Sequence, residues 1–248
     1  MSNLERPFAM TLKDKRILVI GGGSGIGLGV AQSAAQEGAK VLIASRDAKK
    51  IAEAAKNIGA TSASIDVRDE NNVAQFFKGN GAFDHIAFTA GDWEGLVPGA
   101  LADLDLAKAA ERLTTRFWGA VAVAKHGATK LPPGGSYTVT NGMLARRPMK
   151  GMPIVTAGAC AMEGLTLGLA VDLAPVRVNC VCPGLIETEM WDKFPEGYRD
   201  RLMAMTQKQL VQRPGSTAEA AESYLTCMRN SFMTGQIIRI EGGIALAN

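Results

Sequence analysis

A glycine cluster between a short aliphatic run and a helix-like segment is the part of this chain that points most clearly to chemistry. Residues 16–27 read RILVIGGGSGIG. Gly21, Gly25 and Gly27 have no Cβ, so the chain can turn tightly there and a diphosphate can approach the backbone. The unpaired N–H groups and the positive dipole end of the following helix point into the same space. The cluster therefore predicts a nucleotide-diphosphate site, although ordinary strand-to-helix turns also produce such patterns.

Further motifs follow this cluster along the chain. They are Asp66-Val67, Thr89-Ala90-Gly91, the NCVCPG turn from Asn179 to Gly184, Ile186-Glu187-Thr188-Glu189-Met190, Thr234-Gly235-Gln236 and Glu241-Gly242-Gly243. Together with the spacing of the first glycines, they resemble the short-chain dehydrogenase/reductase family over essentially the whole chain. The resemblance implies that Asp66 and Val67 lie against an adenine ring, and that the turn through Pro183 and Gly184 lies beside a nicotinamide.

The end of the second predicted strand distinguishes between the two nicotinamide cofactors. An acidic residue there would bind both ribose hydroxyls of NAD, but the chain has Ser45 and Arg46. The Arg46 guanidinium can hold a 2′-phosphate, so we predict NADP(H). Alternatively, Arg46 is a solvated charge at a helix start, as are its basic neighbours Lys49 and Lys50. The predicted cofactor-binding residues are Gly21, Gly23, Ser24, Gly25, Ile26, Gly27, Ser45, Arg46, Asp66, Val67, Thr89, Ala90, Gly91, Pro183, Gly184, Ile186 and Thr188.

The catalytic positions that the resemblance implies are all substituted. When the family's Gly-Leu-Thr stretch is placed on residues 164–166, its Tyr-x-x-x-Lys pair falls on Val155 and Ala159, its serine on Gly142 and its asparagine on Arg116. None of these replacements is an ordinary proton donor, since arginine keeps its proton up to a pKa above ~12. No tyrosine of the chain is followed by lysine at the fourth position. The three tyrosines are Tyr137, Tyr198 and Tyr224.

Three classes of function fit these substitutions. The first is an NADP(H)-dependent oxidoreductase with a non-standard site, in which Arg116 or Asn141 hydrogen-bonds the developing negative charge. Because loss of a general acid costs ~10²–10⁴ in rate, an activated acceptor such as an iminium ion or a conjugated carbonyl suits it better than a ketone. The second is a non-redox catalyst, such as a cyclase, that uses NADP(H) structurally. The third is a catalytically silent NADP(H)-binding sensor or interaction protein.

The resemblance favours the first of these functions. Some fungal alkaloid-pathway members of the family lack the usual residues, use NADPH to reduce an iminium and promote a following ring closure. The resemblance therefore implies a small-molecule substrate from specialised metabolism. An Arg116 side chain in the middle of a helix needs partners, so a structural ion pair is the alternative to a catalytic role.

The elements that must position these residues alternate between strand and helix. The predicted strands are Arg16–Ile20, Val41–Ala44, Ser62–Asp66, Asp84–Phe88, Ser136–Thr140, Val176–Val181 and Gln236–Ile240. The predicted helices are Gly25–Glu37, Ala48–Asn57, Glu70–Lys78, Leu104–Leu131, Pro153–Leu173 and one that runs from a Ser216/Glu219 capping box to Met228. The fold class is therefore α/β: one NADP(H)-binding, Rossmann-type domain over residues 1–248, a doubly wound parallel sheet of about seven strands with helices on both faces.

Two longer segments have roles implied by the resemblance. Residues 185–213 interrupt the alternation and resemble the family's substrate lid, although an ordinary packed helical insert has the same pattern. The helices predicted at 104–131 and 153–173 imply pairing between subunits, as a homodimer or a homotetramer.

Composition limits the other possibilities. The chain of 248 residues is 47% hydrophobic, and 27 basic residues nearly offset 24 acidic ones, which gives no case for a nucleic-acid partner. The polar first ten residues carry no signal-peptide core, and we find no uninterrupted apolar stretch of about 20 residues. We therefore expect a cytoplasmic protein with no membrane partner. We read the four cysteines as reduced core thiols and expect no metal, since His85 and His126 are the only histidines.

Several other polar residues have both a structural and a functional interpretation. We interpret His85 and His126 as structural residues. Glu163 lies one turn beyond the lysine position and is placed to face a neighbouring subunit. Asp92 and Trp93 could line a substrate cleft or cap a loop. Arg146 and Arg147 follow the fifth strand, where they would meet an acidic substrate or remain solvated.

Overall fold

The computed structural model describes residues 11–91 and 98–247, and in these residues strands and helices alternate as predicted. The strands are β1 (Arg16–Ile20), β2 (Lys40–Ser45), β3 (Thr61–Ser64), β4 (His85–Phe88), β5 (Ser136–Thr140), β6 (Arg177–Pro183) and β7 (Ile237–Ile240). The α-helices are α1 (Gly25–Gln36), α2 (Ala48–Ile58), α3 (Glu70–Gly79), α4 (Leu106–Leu113), α5 (Gly119–Gly127), α6 (Pro153–Asp172), α7 (Tyr198–Thr206) and α8 (Thr217–Arg229).

The described strands form one seven-stranded parallel sheet in the order β3-β2-β1-β4-β5-β6-β7. Its direction of progression reverses between β1 and β4, so the loops that leave these two neighbouring strands diverge and open a crevice. The glycine cluster follows β1 and the Thr89-Ala90-Gly91 turn follows β4. The predicted fold class and the predicted position of the switch point are therefore confirmed.

Two hydrophobic layers hold helices on both faces of the sheet. Side chains alternate across β1: Leu18 and Ile20 pack into the layer beneath α3, α5 and α6, whereas Ile17 and Val19 pack into the layer beneath α1, α2 and α8. All four are at most 1% exposed. β1 is therefore a rigid support for the glycine cluster that leaves its end.

The long helix predicted at 104–131 is corrected by the structure. α4 begins at Leu106, because the Asp105 carboxylate accepts hydrogen bonds from the backbone of Ala107 and Lys108. A π-helical turn, Thr114–Trp118, then separates α4 from α5, and a 3₁₀ turn, Ala128–Lys130, follows. Such π turns insert one extra residue and are frequent at functional sites. This one contains Arg116.

Among the described residues, α6 is the helix that approaches a membrane span, although Glu163 interrupts its apolar sequence. It has 20 residues, of which only Glu163 and Asp172 are charged, and by length and composition it could cross a membrane. One such helix is weak support for a span. In this fold its inner residues Ala159 and Met162 are buried against the sheet, and Glu163 pairs with Arg146.

Candidate functional site

The glycine cluster and the turn after β4 are packed in direct contact. Gly21 has φ 88°, and a Cβ built on it would lie 2.7 Å from the Ala90 nitrogen. A Cβ on Gly27 would lie 2.8 Å from the Gly21 carbonyl carbon. Thr89 joins the two loops, since its hydroxyl donates to the Ile20 carbonyl oxygen at 3.0 Å. A residue larger than glycine would clash at both positions, so the two loops pack backbone against backbone here.

The turn after β6 reaches the same place from the other side. A Cβ on Gly25, whose φ is 52°, would lie 3.4 Å from Thr188 Cγ2, and the Gly25 N–H donates to Glu189 Oε1 at 2.9 Å. Ile186 is 7% exposed and anchors this turn by a bridge to Gly215. The structure thus brings Thr188 onto the glycine cluster, as the predicted cofactor residues require. Sequence reasoning missed the contact of Glu189.

At the other end of the crevice, Ser45 ends β2 and Arg46 follows it on the surface. A Cβ on Gly23 would lie 3.7 Å from Ser45 Oγ. Asp66 lies beyond β3, not at its end as predicted. The Arg68 guanidinium donates two hydrogen bonds to the Asp66 carboxylate, at 2.9 and 2.6 Å. These bonds are the main cause of the lowered pKa of Asp66. The charge of Arg46 lowers that pKa further, so two arginines act on this corner.

Arg68 is a second residue that sequence reasoning missed. Its position two residues after Asp66 was a visible signal. Val67, by contrast, is buried and packs on the start of α5, where a Cβ on Gly119 would lie 2.8 Å from Val67 Cγ2. Val67 therefore shapes the wall of this corner through packing.

Arg116 and Asn141 lie together at the carboxyl ends of β4 and β5. Arg116 Nη1 donates to the Asn141 carbonyl oxygen at 3.1 Å. A Cβ on Gly91 would lie 2.9 Å from Arg116 Nε, so Gly91 makes room for the guanidinium. The Asn141 side chain is 1% exposed, and neither its Nδ2 nor its Oδ1 has a hydrogen-bond partner among the described residues. Buried polar atoms are usually hydrogen-bonded, so this amide is an exception that marks the end of β5 as part of a candidate site.

A family model described as enoyl-(acyl carrier protein) reductase matches residues 21–245. The chain belongs to the short-chain dehydrogenase/reductase family. One relative, the short-chain dehydrogenase/reductase fsr5 of Gibberella fujikuroi, is 33% identical and covers 97% of this chain and 98% of its own. A second, malC of Malbranchea aurantiaca, is also 33% identical and covers 95% of this chain and 96% of its own.

Two solved structures of this family extend the comparison. The MalC reductase/Diels-Alderase from Malbranchea aurantiaca superposes with a TM-score of 0.87 at 31% identity, covering 97% of this chain and 100% of that one. A small-chain dehydrogenase in complex with NADPH has a TM-score of 0.81 at 35% identity, covering 95% and 100%. The family uses NAD(P)(H) as its cofactor, and the crevice described above fits such a dinucleotide because its glycines clear the backbone for a diphosphate.

The residues that the sequence register assigns to the family's catalytic positions carry no acid or base. Val155 and Ala159 are aliphatic residues of α6, and Gly142 precedes a short 3₁₀ turn. A Cβ on Gly142 would meet no heavy atom within 4 Å, so the space for a serine side chain is open.

The tyrosines of the sheet layers do not replace the missing acid. Tyr224 and Tyr137 are at most 1% exposed, and burial raises the pKa of both phenols. The Tyr224 hydroxyl is 2.6 Å from Thr140 Oγ1, and the Tyr137 hydroxyl donates to the Ala120 carbonyl. Burial also raises the pKa of the Cys182 thiol to about 11. These groups therefore keep their protons near neutral pH.

The histidines take structural positions. His85 is buried, its Nδ1 lies 2.9 Å from Ser136 Oγ, and burial lowers its pKa to about 4. His126 Nε2 lies 3.1 Å from the Glu70 carboxylate. Within residues 11–91 and 98–247, His, Cys, Asp and Glu side chains form no group of three that could hold a metal.

Two sequence expectations are corrected. Glu163 is paired within its own chain, by the Arg146 guanidinium, because the loop after β5 folds back along α6. Cys160 is exposed on the outer side of α6, whereas Cys180, Cys182 and Cys227 are buried thiols.

Arg147 is held by the carbonyl oxygens of Ile244 and Ala247. Asp92 and Trp93 lie outside the described residues.

The segment 185–213 does interrupt the alternation. It contains a 3₁₀ turn, Trp191–Lys193, and α7. Arg199 on α7 binds the carboxylates of Glu187 and Asp192, the latter at 2.7 Å. The segment is thereby tied together at its start, beside the glycine cluster.

An open cavity of about 980 Å³ lies near the start of α6, between residues 98–101 and 148–151. Apolar atoms form most of its wall. Its lining includes Thr156 and Ala157 of α6, but not Arg116 or Asn141.

Proposed function

We propose that this chain is an NADP(H)-dependent reductase with a non-standard active site. Its substrate is an activated small-molecule acceptor of specialised metabolism, such as an iminium ion or a conjugated carbonyl. One observation carries the proposal: Arg116 contacts Asn141, whose amide has no hydrogen-bond partner among the described residues. The predicted register puts aliphatic residues and glycine in place of the family's usual donors at this end of the crevice.

The corner of the crevice that would hold the adenosine favours NADP(H) over NAD(H). Ser45 and Arg46 stand where NAD would need an acid, and Arg68 adds a second guanidinium near Arg46. Arginine binds phosphate through paired N–H groups, so this corner favours a 2′-phosphate. The solved relative that holds NADPH supports the same preference.

The glycine cluster and the N-terminus of α1 would hold the diphosphate, and the turn through Pro183, Gly184 and Thr188 would hold the nicotinamide. The bound cofactor supplies hydride. The residues of the chain then orient the acceptor and stabilise its changing charge. Arg116 presents fixed positive charge and Asn141 presents both a donor and an acceptor, which suits a carbonyl or amide oxygen that gains negative charge.

Without a proton donor at the site, the rate of reduction should differ strongly between acceptors. A ketone must be protonated as hydride arrives, and without a general acid this costs ~10²–10⁴ in rate. An iminium carbon accepts hydride without any proton. The aliphatic Val155 and Ala159 are therefore no handicap for a cationic acceptor.

A second candidate is a ring-forming, non-redox reaction. It is favoured by the solved MalC structure, whose description joins reductase and Diels-Alderase activities in one protein of the same fold. In that case this site would hold NADP(H) mainly as part of its wall, and Arg116 would polarise a carbonyl of the reacting molecule.

The test is a panel of cyclic iminium ions, conjugated carbonyls and plain ketones, each followed by NADPH absorbance and by product mass. Iminium-dependent NADPH oxidation supports the reductase. Product formation that needs bound NADP(H) without consuming it supports the ring-forming catalyst. Tight NADPH binding with no product from any member of the panel would favour a silent binding protein.

We also propose that α6 pairs with a second copy of the chain, as a homodimer or homotetramer. Leu167 and Val171 on its outer side are 54% and 78% exposed, and Trp118 of the π turn is 59% exposed. Burying such apolar area is favourable. Sedimentation of Val171→Glu against wild type tests this pairing, and an unchanged sedimentation coefficient would argue against it.

A further inference from the structure

The N-terminus of α1 is occupied by an anion from the chain itself. The Gly25 N–H donates to Glu189 Oε1 at 2.9 Å, and Thr188 lies directly over Gly25. α1 has no acidic residue in its first turn, and within the described structure Ser24 makes no side-chain capping bond. A carboxylate here is therefore stabilised by the exposed N–H groups and the dipole of the helix.

This is the position that the diphosphate of a dinucleotide needs. Both groups are anions, and both use the N–H groups at the start of the same helix. Glu189 and a diphosphate therefore exclude each other at Gly25. In the described structure Glu189 makes no other hydrogen bond or ion pair, whereas the acids on either side, Glu187 and Asp192, are held by Arg199.

We propose that Glu189 is an intramolecular competitor of the cofactor diphosphate, and that cofactor binding displaces the Glu189 carboxylate from the Gly25 N–H. The inference rests on the proposed NADP(H) site. Glu189 lies near the start of the 185–213 segment, where Arg199 holds the neighbouring acids Glu187 and Asp192 in place. The arriving cofactor therefore displaces one side chain while the ion pairs beside it remain.

The experiment compares wild type, Glu189→Ala and the control Glu187→Gln by calorimetry with two ligands. NADP⁺ carries the diphosphate, whereas adenosine 2′-monophosphate occupies the adenosine corner and has none. Removing the internal anion should tighten NADP⁺ binding by about 2- to 5-fold. The affinity for adenosine 2′-monophosphate should not change, and Glu187→Gln should bind both ligands as wild type does.

The outcomes separate this inference from the function on which it rests. An unchanged NADP⁺ affinity in Glu189→Ala, or an equal change for both ligands, overturns the competitor role while the cofactor site stands. If none of the three proteins binds either ligand, the proposed cofactor site fails, and the competitor role fails with it.

Discussion

Two ends of one crevice differ in how strictly the fold determines each residue. At the glycine cluster, one added carbon on Gly27 would lie 2.8 Å from the Gly21 carbonyl carbon. At Gly142, which the sequence register assigns to the family's serine, the same carbon would meet no heavy atom within 4 Å. The dinucleotide end is held by close backbone packing, whereas the chemical end has room and few donors.

This difference separates binding from chemistry. Backbone N–H groups bind a diphosphate only when the loop that carries them has the right conformation. That conformation requires glycine where the chain packs closely on itself. Proton transfer depends instead on single side chains at the surface of the crevice, and these can change without disturbing the sheet. We therefore expect a chain of this fold to tolerate changes at its catalytic positions more readily than changes in its nucleotide motifs.

Restoring the usual donors should have the largest effect. Gly142→Ser adds a hydroxyl where the space is open. In the same variant, Val155→Tyr adds an acid and Ala159→Lys adds a cation. We expect NADPH-dependent reduction of simple ketones to rise by ~10²–10⁴. The control Gly142→Ala, Val155→Phe and Ala159→Met adds similar bulk without a proton donor. Rapid ketone reduction by the wild type would show that another acid is already in place.

The next effect breaks the rigid end. Gly27→Ala forces the α1 start away from the β4 turn, and overpacking of this kind costs about 1–3 kcal/mol. We expect a lower free energy of unfolding in urea and weak NADPH binding. Gly142→Ala is the matched control and should change neither quantity. If Gly27→Ala bound NADPH as wild type does, the close packing would not be what shapes the cradle.

A smaller effect is expected at the adenosine corner. Arg46→Ala removes a charged contact to the 2′-phosphate, which should weaken NADPH binding by about 10- to 150-fold and NADH binding much less. Lys49→Ala, in the same basic region, is the control. Calorimetry that shows tighter NADH than NADPH binding in the wild type would contradict the preference for NADP(H).

Much of the fold could be predicted from local patterns. β1 and β5 match their predicted bounds, because each is a short run buried on both faces, with Arg16 at the exposed start of β1 as the one charged residue in the two strands. β3 is displaced by one residue at its start and two at its end. Its polar sequence gives no internal signal, so its register is set by pairing with β2.

The site was less predictable where distant residues meet. Spacing marked the glycine cluster and Arg116, but helical periodicity predicted neither the π turn that carries Arg116 nor the packing of its guanidinium over Gly91. The contact of Glu189 with Gly25 joins residues 164 positions apart. α6 ends within one residue of its predicted end, although its length and apolar composition are also those of a membrane span.

Arg116 gives the smallest effect and the sharpest test of the comparison, because it lies between the two ends. Its guanidinium donates to the Asn141 carbonyl and packs over Gly91, so it touches both the site and the scaffold. Arg116→Met keeps the apolar stem and deletes the donors. If Arg116 serves the chemistry, turnover should fall by at least ~10-fold, while NADPH affinity stays unchanged and the melting temperature moves by only a few degrees.

The opposite result is equally specific. Were Arg116 mainly a structural ion-pair residue, its loss would strand a partner and cost about 3–5 kcal/mol of folding stability. The folded fraction would then retain normal specific activity. Measuring the melting curve and the turnover on the same sample separates the two roles, because a site residue loses rate without stability and a scaffold residue loses stability without rate. Only the first pattern places Arg116 on the chemical side of the crevice.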